Sequence, residues 1–175
     1  NIGVAGLATF LASSPWISAL SESEHTQKEK IRLAIIGAGS RARHLSRFLT
    51  QNPRVEIAVL CDIYQPSIDS TLKLVPGAKV CMDYRKVLDD KSIDAVVIAT
   101  PLNSHYPIAM DAFDAGKHVF CEKTIGFTLE ECFNMYQKHR QTGLIFFTGQ
   151  QRLFDPRYLK AMEMIHSGTF GEINA

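Results

Sequence analysis

Gly37-Ala38-Gly39-Ser40-Arg41-Ala42 is a Gly-x-Gly-x-x-Ala run. It follows a short apolar stretch and opens one with helical apolar spacing. Gly37 permits a tight turn, Gly39 lets a ligand approach the backbone, and Ala42 allows close packing of helix on strand. Free N–H groups and the dipole of the helix would then favour an anion, which suits the loop to a pyrophosphate. The alternative is a Gly-rich turn without a ligand.

Three more groups stand just after apolar runs. Asp62 lies about 25 residues after Gly37, near the spacing of an acid that bonds the ribose diol of a dinucleotide. A carboxylate there repels a 2′-phosphate and so favours NAD. Arg41 and Arg43 keep NADP open, and a plain surface turn is the other reading of Asp62. Thr100-Pro101-Leu102-Asn103-Ser104-His105 would face the middle of the cofactor. Asn103 and Ser104 have a second reading as helix caps, and His105 reads equally as a catalytic-site contact to cofactor or substrate and as a plain helix-start residue. Glu122-Lys123 puts two charges at the end of a buried run. A lysine there can hydrogen-bond a substrate hydroxyl and lower its pKa, or orient the nicotinamide ribose. A salt bridge among these residues and their neighbours is the structural alternative.

These groups need a scaffold that brings strand ends together. Six short apolar runs are read as strands: 31–36, 55–61, 79–81, 95–99, 118–121 and 144–148. Helices are expected between them at 40–51, 66–74, 84–88, 105–115 and 129–140. Asn52-Pro53 and Pro76-Gly77 break the pattern, Gly116 and Gly143 end helices, and Thr128 with Glu131 forms a capping box. Alternation of this kind means an α/β fold with a doubly wound, mostly parallel sheet of the Rossmann type. Such sheets bind ligands at the carboxyl ends of their strands.

The 175 residues allow one domain of ordinary size, and 46% hydrophobic residues can fill its core. A net charge of +1 with scattered Lys and Arg gives no sign of a nucleic-acid partner. Cys61, Cys81, Cys121 and Cys132 show no CxxC spacing and read as small core residues, so no metal is expected. Residues 2–20 are uncharged and apolar. They resemble the remains of an export signal, with residues 21–30 as linker. Pro15 and the small residues argue against a stable membrane span. The chain starts with Asn and stops just after a Gly-x-x-Gly turn, so it is expected to be incomplete at both ends.

IIGAGSRARHL, the Cys61-Asp62 pair, ATPLNSH at 99–105, GKHVFCEKTI at 116–125 and GQQRLFDPRY at 149–158 together resemble the glucose–fructose oxidoreductase / inositol dehydrogenase (Gfo/Idh/MocA) family. The resemblance implies a Rossmann domain over 31–150. Residues 151–175 would lead into a second α/β domain with an open antiparallel sheet, mostly absent here. It implies hydride transfer between a nicotinamide cofactor and a sugar or cyclitol carbon. Lys123 would contact cofactor and substrate, and Arg152 would lie near the nicotinamide. The family's usual acid/base pair, Asp and His of the second domain, has no counterpart in these residues. Thr124 replaces the proline of the family's Glu-Lys-Pro motif, which removes a rigid and often cis turn. The resemblance also implies homo-oligomers formed through the second domain and, for exported members, a twin-arginine signal and a periplasmic location. Two other readings stay open: a glycoside hydrolase that uses NAD transiently, and a non-catalytic relative. Thr124 favours these two, whereas Asp62, Lys123 and Arg152 favour a working cofactor site. The chain alone is expected to bind dinucleotide weakly and to turn nothing over.

Overall fold

The computed structural model describes residues 30–172. The apolar segment at 1–20 and nearly all of the linker lie outside the described residues. Six strands alternate with helices: β1 (Ile31–Ile36), α1 (Ser40–Leu49), β2 (Val55–Cys61), α2 (Gln65–Leu72), β3 (Lys79–Cys81), α3 (Tyr84–Asp89), β4 (Ala95–Ile98), α4 (His105–Asp114), β5 (His118–Cys121), α5 (Leu129–Thr142), β6 (Phe146–Thr148) and α6 (Pro156–His166). All strand pairs are parallel, in the order β3-β2-β1-β4-β5-β6. The order reverses between β1 and β4, the place where doubly wound sheets open a crevice for ligands.

Side chains alternate across the strands, save at a register shift where Ala58 and Val59 of β2 join the same side, and this splits the core in two. Ala34, Ile36, Val96, Ile98, Val119 and Cys121 face one way and meet Val87 and Leu88 of α3, Ile108 and Phe113 of α4, and Met135 of α5. Leu33, Ile35, Ile57, Leu60 and Val97 face the other way, towards Ala42 of α1. The strands are therefore apolar on both faces, as a parallel sheet between two helix layers requires.

The helix signals act as expected. Thr128 accepts from the Glu131 backbone at 3.1 Å, and Glu131 accepts from the Thr128 backbone in return. Gly143 ends α5 at φ +67°. Two strands are shorter than expected: β4 stops at Ile98, not Ala99, and β6 starts at Phe146, not Leu144. His139 Nδ1 faces the Leu144 carbonyl at 2.6 Å, and the Ile145 N–H donates to His118 Nδ1 at 2.9 Å. Ring nitrogens thus take backbone groups at the start of the expected strand.

Candidate functional site

The carboxyl ends of the strands are level. Ile36 sits beside both Cys61 and Ile98, and Cys121 beside both Ile98 and Thr148. One more backbone hydrogen bond follows each pairing. The N–H of Gly37 donates to Cys61 O at 2.8 Å, that of Ala99 to Ile36 O at 2.8 Å, that of Glu122 to Ile98 O at 3.0 Å, and that of Gly149 to Cys121 O at 2.8 Å. Asp62 joins the row through Cys81 O at 3.2 Å. The sequence candidates at 37, 62, 99–100 and 122 therefore stand along one rim.

The Gly37–Ala42 loop is held from three sides. Gly37 has φ +92°, and a Cβ there would come within 2.6 Å of the Ala99 backbone. Only glycine fits, because the loop passes directly over the end of β4. Ala38 is fully buried and tied at both its polar atoms. Its N–H donates to Asp62 Oδ2 at 2.6 Å, and its carbonyl accepts from the hydroxyl of buried Thr71 at 2.7 Å. Gly39 caps α1 in an extended conformation without a side-chain cap bond, and a Cβ there would meet nothing within 4 Å. The first N–H groups of α1, from Ser40, Arg41 and Ala42, thus remain open to an anion.

Asp62 accepts from the Tyr64 N–H through its other oxygen, at 2.9 Å. Each carboxylate oxygen still has a lone pair for a ribose hydroxyl. Asp62 lines a cleft of about 710 Å³ together with Gly37, Gly39, Ser40, Arg41, Thr100 and Pro101. A second cleft of about 320 Å³ is lined by Arg41, Thr100, Leu102, His105, Glu122, Lys123 and Gln151. Arg41, Ala99 and Thr100 are common to both. The Thr100 hydroxyl is buried and without a hydrogen-bond partner among the described residues. A glycine cradle, open helix N–H groups, a ribose-facing carboxylate and an orphaned hydroxyl on one crevice fit a dinucleotide laid across the switch point.

The remaining candidates separate. Lys123 is exposed and lines the second cleft. The Lys123–Thr124 peptide bond is cis although its second residue is not proline. His105 is 2% exposed. Its Nδ1 faces Thr124 O at 2.7 Å and its Nε2 faces Thr100 O at 2.8 Å, so the ring bridges the loops after β4 and β5. Asn103 is exposed on a 3₁₀ turn, Leu102–Ser104, and lines neither cleft. The Ser104 hydroxyl donates to Pro101 O at 2.7 Å rather than capping α4. Arg152 points to α6, where Nη1 donates to the Tyr158 hydroxyl at 3.2 Å, and Gln151 lines the second cleft in its place. Sequence reasoning missed Thr71 and Gln151. The signal that could have found Thr71 is its spacing from Ile68 and Val75, which sets a hydroxyl on an apolar face.

Glu122 is 5% exposed and does not pair with Lys123's side chain. Arg41 Nε donates to its Oε1 at 2.6 Å. Among the described residues no group of three His, Cys, Asp or Glu side chains is placed to hold a metal ion.

The level rim, the reversal of strand order and the glycine cradle define a dinucleotide-binding protein of the doubly wound α/β class. The chain belongs to the GFO_IDH_MocA oxidoreductase family with its NAD-binding Rossmann fold, whose model matches residues 31–150. It is 30% identical to a glycosyl hydrolase family 109 protein of Stenotrophomonas maltophilia, over 94% of this chain and 39% of that protein. It is also 30% identical to the scyllo-inositol 2-dehydrogenase (NAD(+)) of Bacillus subtilis, over 83% of this chain and 43% of that protein. The crystal structure of scyllo-inositol dehydrogenase from Lactobacillus casei, with bound cofactor NAD(H) and scyllo-inositol, superposes with a TM-score of 0.75 at 29% identity. It covers 82% of this chain and 43% of that one. The chain thus spans about two fifths of the length of these relatives.

Proposed function

We propose that these residues form the cofactor half of an NAD-dependent oxidoreductase acting on a sugar or cyclitol alcohol. NAD, when bound, accepts or returns the hydride. The chain's own residues do the rest. Gly39–Ala42 hold the pyrophosphate on backbone N–H groups. Asp62 takes the adenosine ribose diol and repels a 2′-phosphate. The observation that carries the reading is Lys123, an exposed lysine that lines the second cleft on the same rim as the phosphate loop. There its ammonium donates to a substrate hydroxyl and lowers the cost of removing the hydroxyl proton. Supporting this reading, inositol dehydrogenases are among the similar proteins.

A second reading has a specific support. The match to the glycosyl hydrolase family 109 protein covers 94% of this chain. A hydrolase of this kind would oxidise a sugar hydroxyl to a ketone, eliminate the aglycone, add water across the double bond left behind, and return the hydride. Purified full-length protein separates the two. Net NADH from a free polyol or sugar supports the dehydrogenase. Cleavage of an aryl glycoside without net NADH supports the hydrolase. Absence of bound or stabilising nicotinamide overturns both. In either case Lys123→Ala should lower kcat about 100-fold or more while NAD affinity changes little. Export and self-association belong to the same proposal. The first rests on the composition of residues 2–20 and the second on the family resemblance.

A further inference from the structure

Arg41 leaves α1 in a direction that its position in the sequence does not reveal. Its Nε–H meets Oε1 of Glu122 at 2.6 Å, 81 residues along the chain. Glu122 is buried, and its second oxygen accepts from the Lys123 backbone N–H at 3.2 Å. Gly149 leaves room for that carboxylate, since a Cβ there would stand 2.9 Å from Oε2. A carboxylate so enclosed needs a cationic partner, because desolvation costs several kcal/mol per ion. The pair satisfies Glu122 but not Arg41. No other described residue bonds the two terminal nitrogens of the guanidinium, and Arg41 lines both clefts.

Direction decides what those nitrogens serve. Asp62 follows β2, on one side of β1, and Glu122 follows β5, on the other side beyond β4. The pair therefore draws Arg41 away from the site of a 2′-phosphate. A planar guanidinium anchored through Nε presents its remaining edge in a fixed direction, which suits a tetrahedral oxyanion. The neighbouring N–H groups of Gly39–Ala42 already mark where such an anion sits.

We propose that Arg41, oriented by Glu122, binds the dinucleotide's pyrophosphate on its nicotinamide side and does not read the 2′ position. Glu122 is then a positioning residue for the cofactor. This rests on the dinucleotide reading above. The test is calorimetric titration of full-length wild type, Arg41→Met, Glu122→Gln and the double variant with NAD, NADP, ADP-ribose and AMP. AMP carries only the adenosine-side phosphate, whereas ADP-ribose carries both. Arg41→Met should weaken NAD and ADP-ribose about tenfold or more, the loss of a charged hydrogen bond, and leave AMP and the NAD:NADP ratio nearly unchanged. Glu122→Gln should show the same pattern at smaller size. The double variant removes both charges, so no buried charge is left unpaired. It should keep the full loss for NAD while regaining the thermal stability that Arg41→Met alone forfeits. Equal losses for AMP, a selective loss of NADP, or unchanged NAD binding would overturn the proposal. Wild type that binds neither NAD nor ADP-ribose would remove the cofactor reading itself.

Discussion

The two halves of the sheet are built differently. Around β1–β3 the phosphate loop is fixed by internal bonds: Gly37 over β4, and Ala38 tied to Asp62 and Thr71. Around β5 and β6 much apolar surface is open. Phe120 stacks on Phe147 at 5.7 Å, Phe147 leans on Phe154 at 5.3 Å, and Phe147 and Phe154 are both exposed. Helix α6 buries none of its residues, although Tyr158, Leu159, Met162 and Ile165 recur at helical spacing. Apart from Gly37, which rests over the end of β4, and Arg41, which Glu122 orients, the first half positions its ligand groups by itself. In the second half the Arg41–Glu122 pair and the His105 bridge do most of that work.

The sharpest way to break this contrast is Gly37→Val. It adds a β-branched side chain at φ +92° against the Ala99 backbone. We expect a loss of about 3 kcal/mol or more in urea unfolding, together with loss of dinucleotide binding. If the variant folds and binds normally, the first half is not fixed as described.

The next effect compares one thiol from each half. Burial raises Cys61, at the end of β2, from 9.0 to about 12, with its neighbour Cys81 adding to the shift. Burial likewise raises Cys121, at the end of β5, to about 12, and Glu122 adds to it. Between about pH 9 and 12 the unfolded chain loses these protons and the folded chain keeps them. Stability therefore falls as pH rises through that window, by about 1.4 kcal/mol per thiol at pH 10. Chemical denaturation at pH 8 and 10, against a Cys61→Ala/Cys121→Ala variant, isolates the two thiols. A wild-type slope no steeper than the variant's would show that neither site excludes the thiolate.

A smaller effect is expected for Thr71→Val, which keeps the shape but leaves the Ala38 carbonyl unpaired. It should cost about 1–2 kcal/mol and weaken NAD binding more than any equally destabilising change in α5. Thr128→Ala, which removes the α5 cap, serves as that reference at about 1 kcal/mol. Equal effects on binding would erase the distinction between the halves.

The fold was largely legible because its signals are local. Apolar runs, the Thr128–Glu131 box and Gly143 each act within a few residues. The phosphate loop was legible for the same reason, since its glycines sit between strand and helix. What stayed hidden depends on pairs far apart in the chain. Nothing near Arg41 indicates Glu122, and nothing near Ala38 indicates Thr71. His105 reads equally as ligand or structure until Thr100 O and Thr124 O are seen on either side of its ring. Arg152 and Gln151 are adjacent, and only the turn geometry selects which one faces the cleft.

The two bonds at Ala38 carry a consequence for how the loop comes into being. Its N–H is held by a residue of the second crossover and its carbonyl by a helix further on, so the loop acquires its shape only when β1 through α2 have docked as a unit. Its amide proton should therefore exchange with solvent only on the slow timescale of that unit's opening, unlike those of ordinary surface turns. The phosphate cradle is formed in advance of any ligand, and binding need not supply the entropy of ordering it.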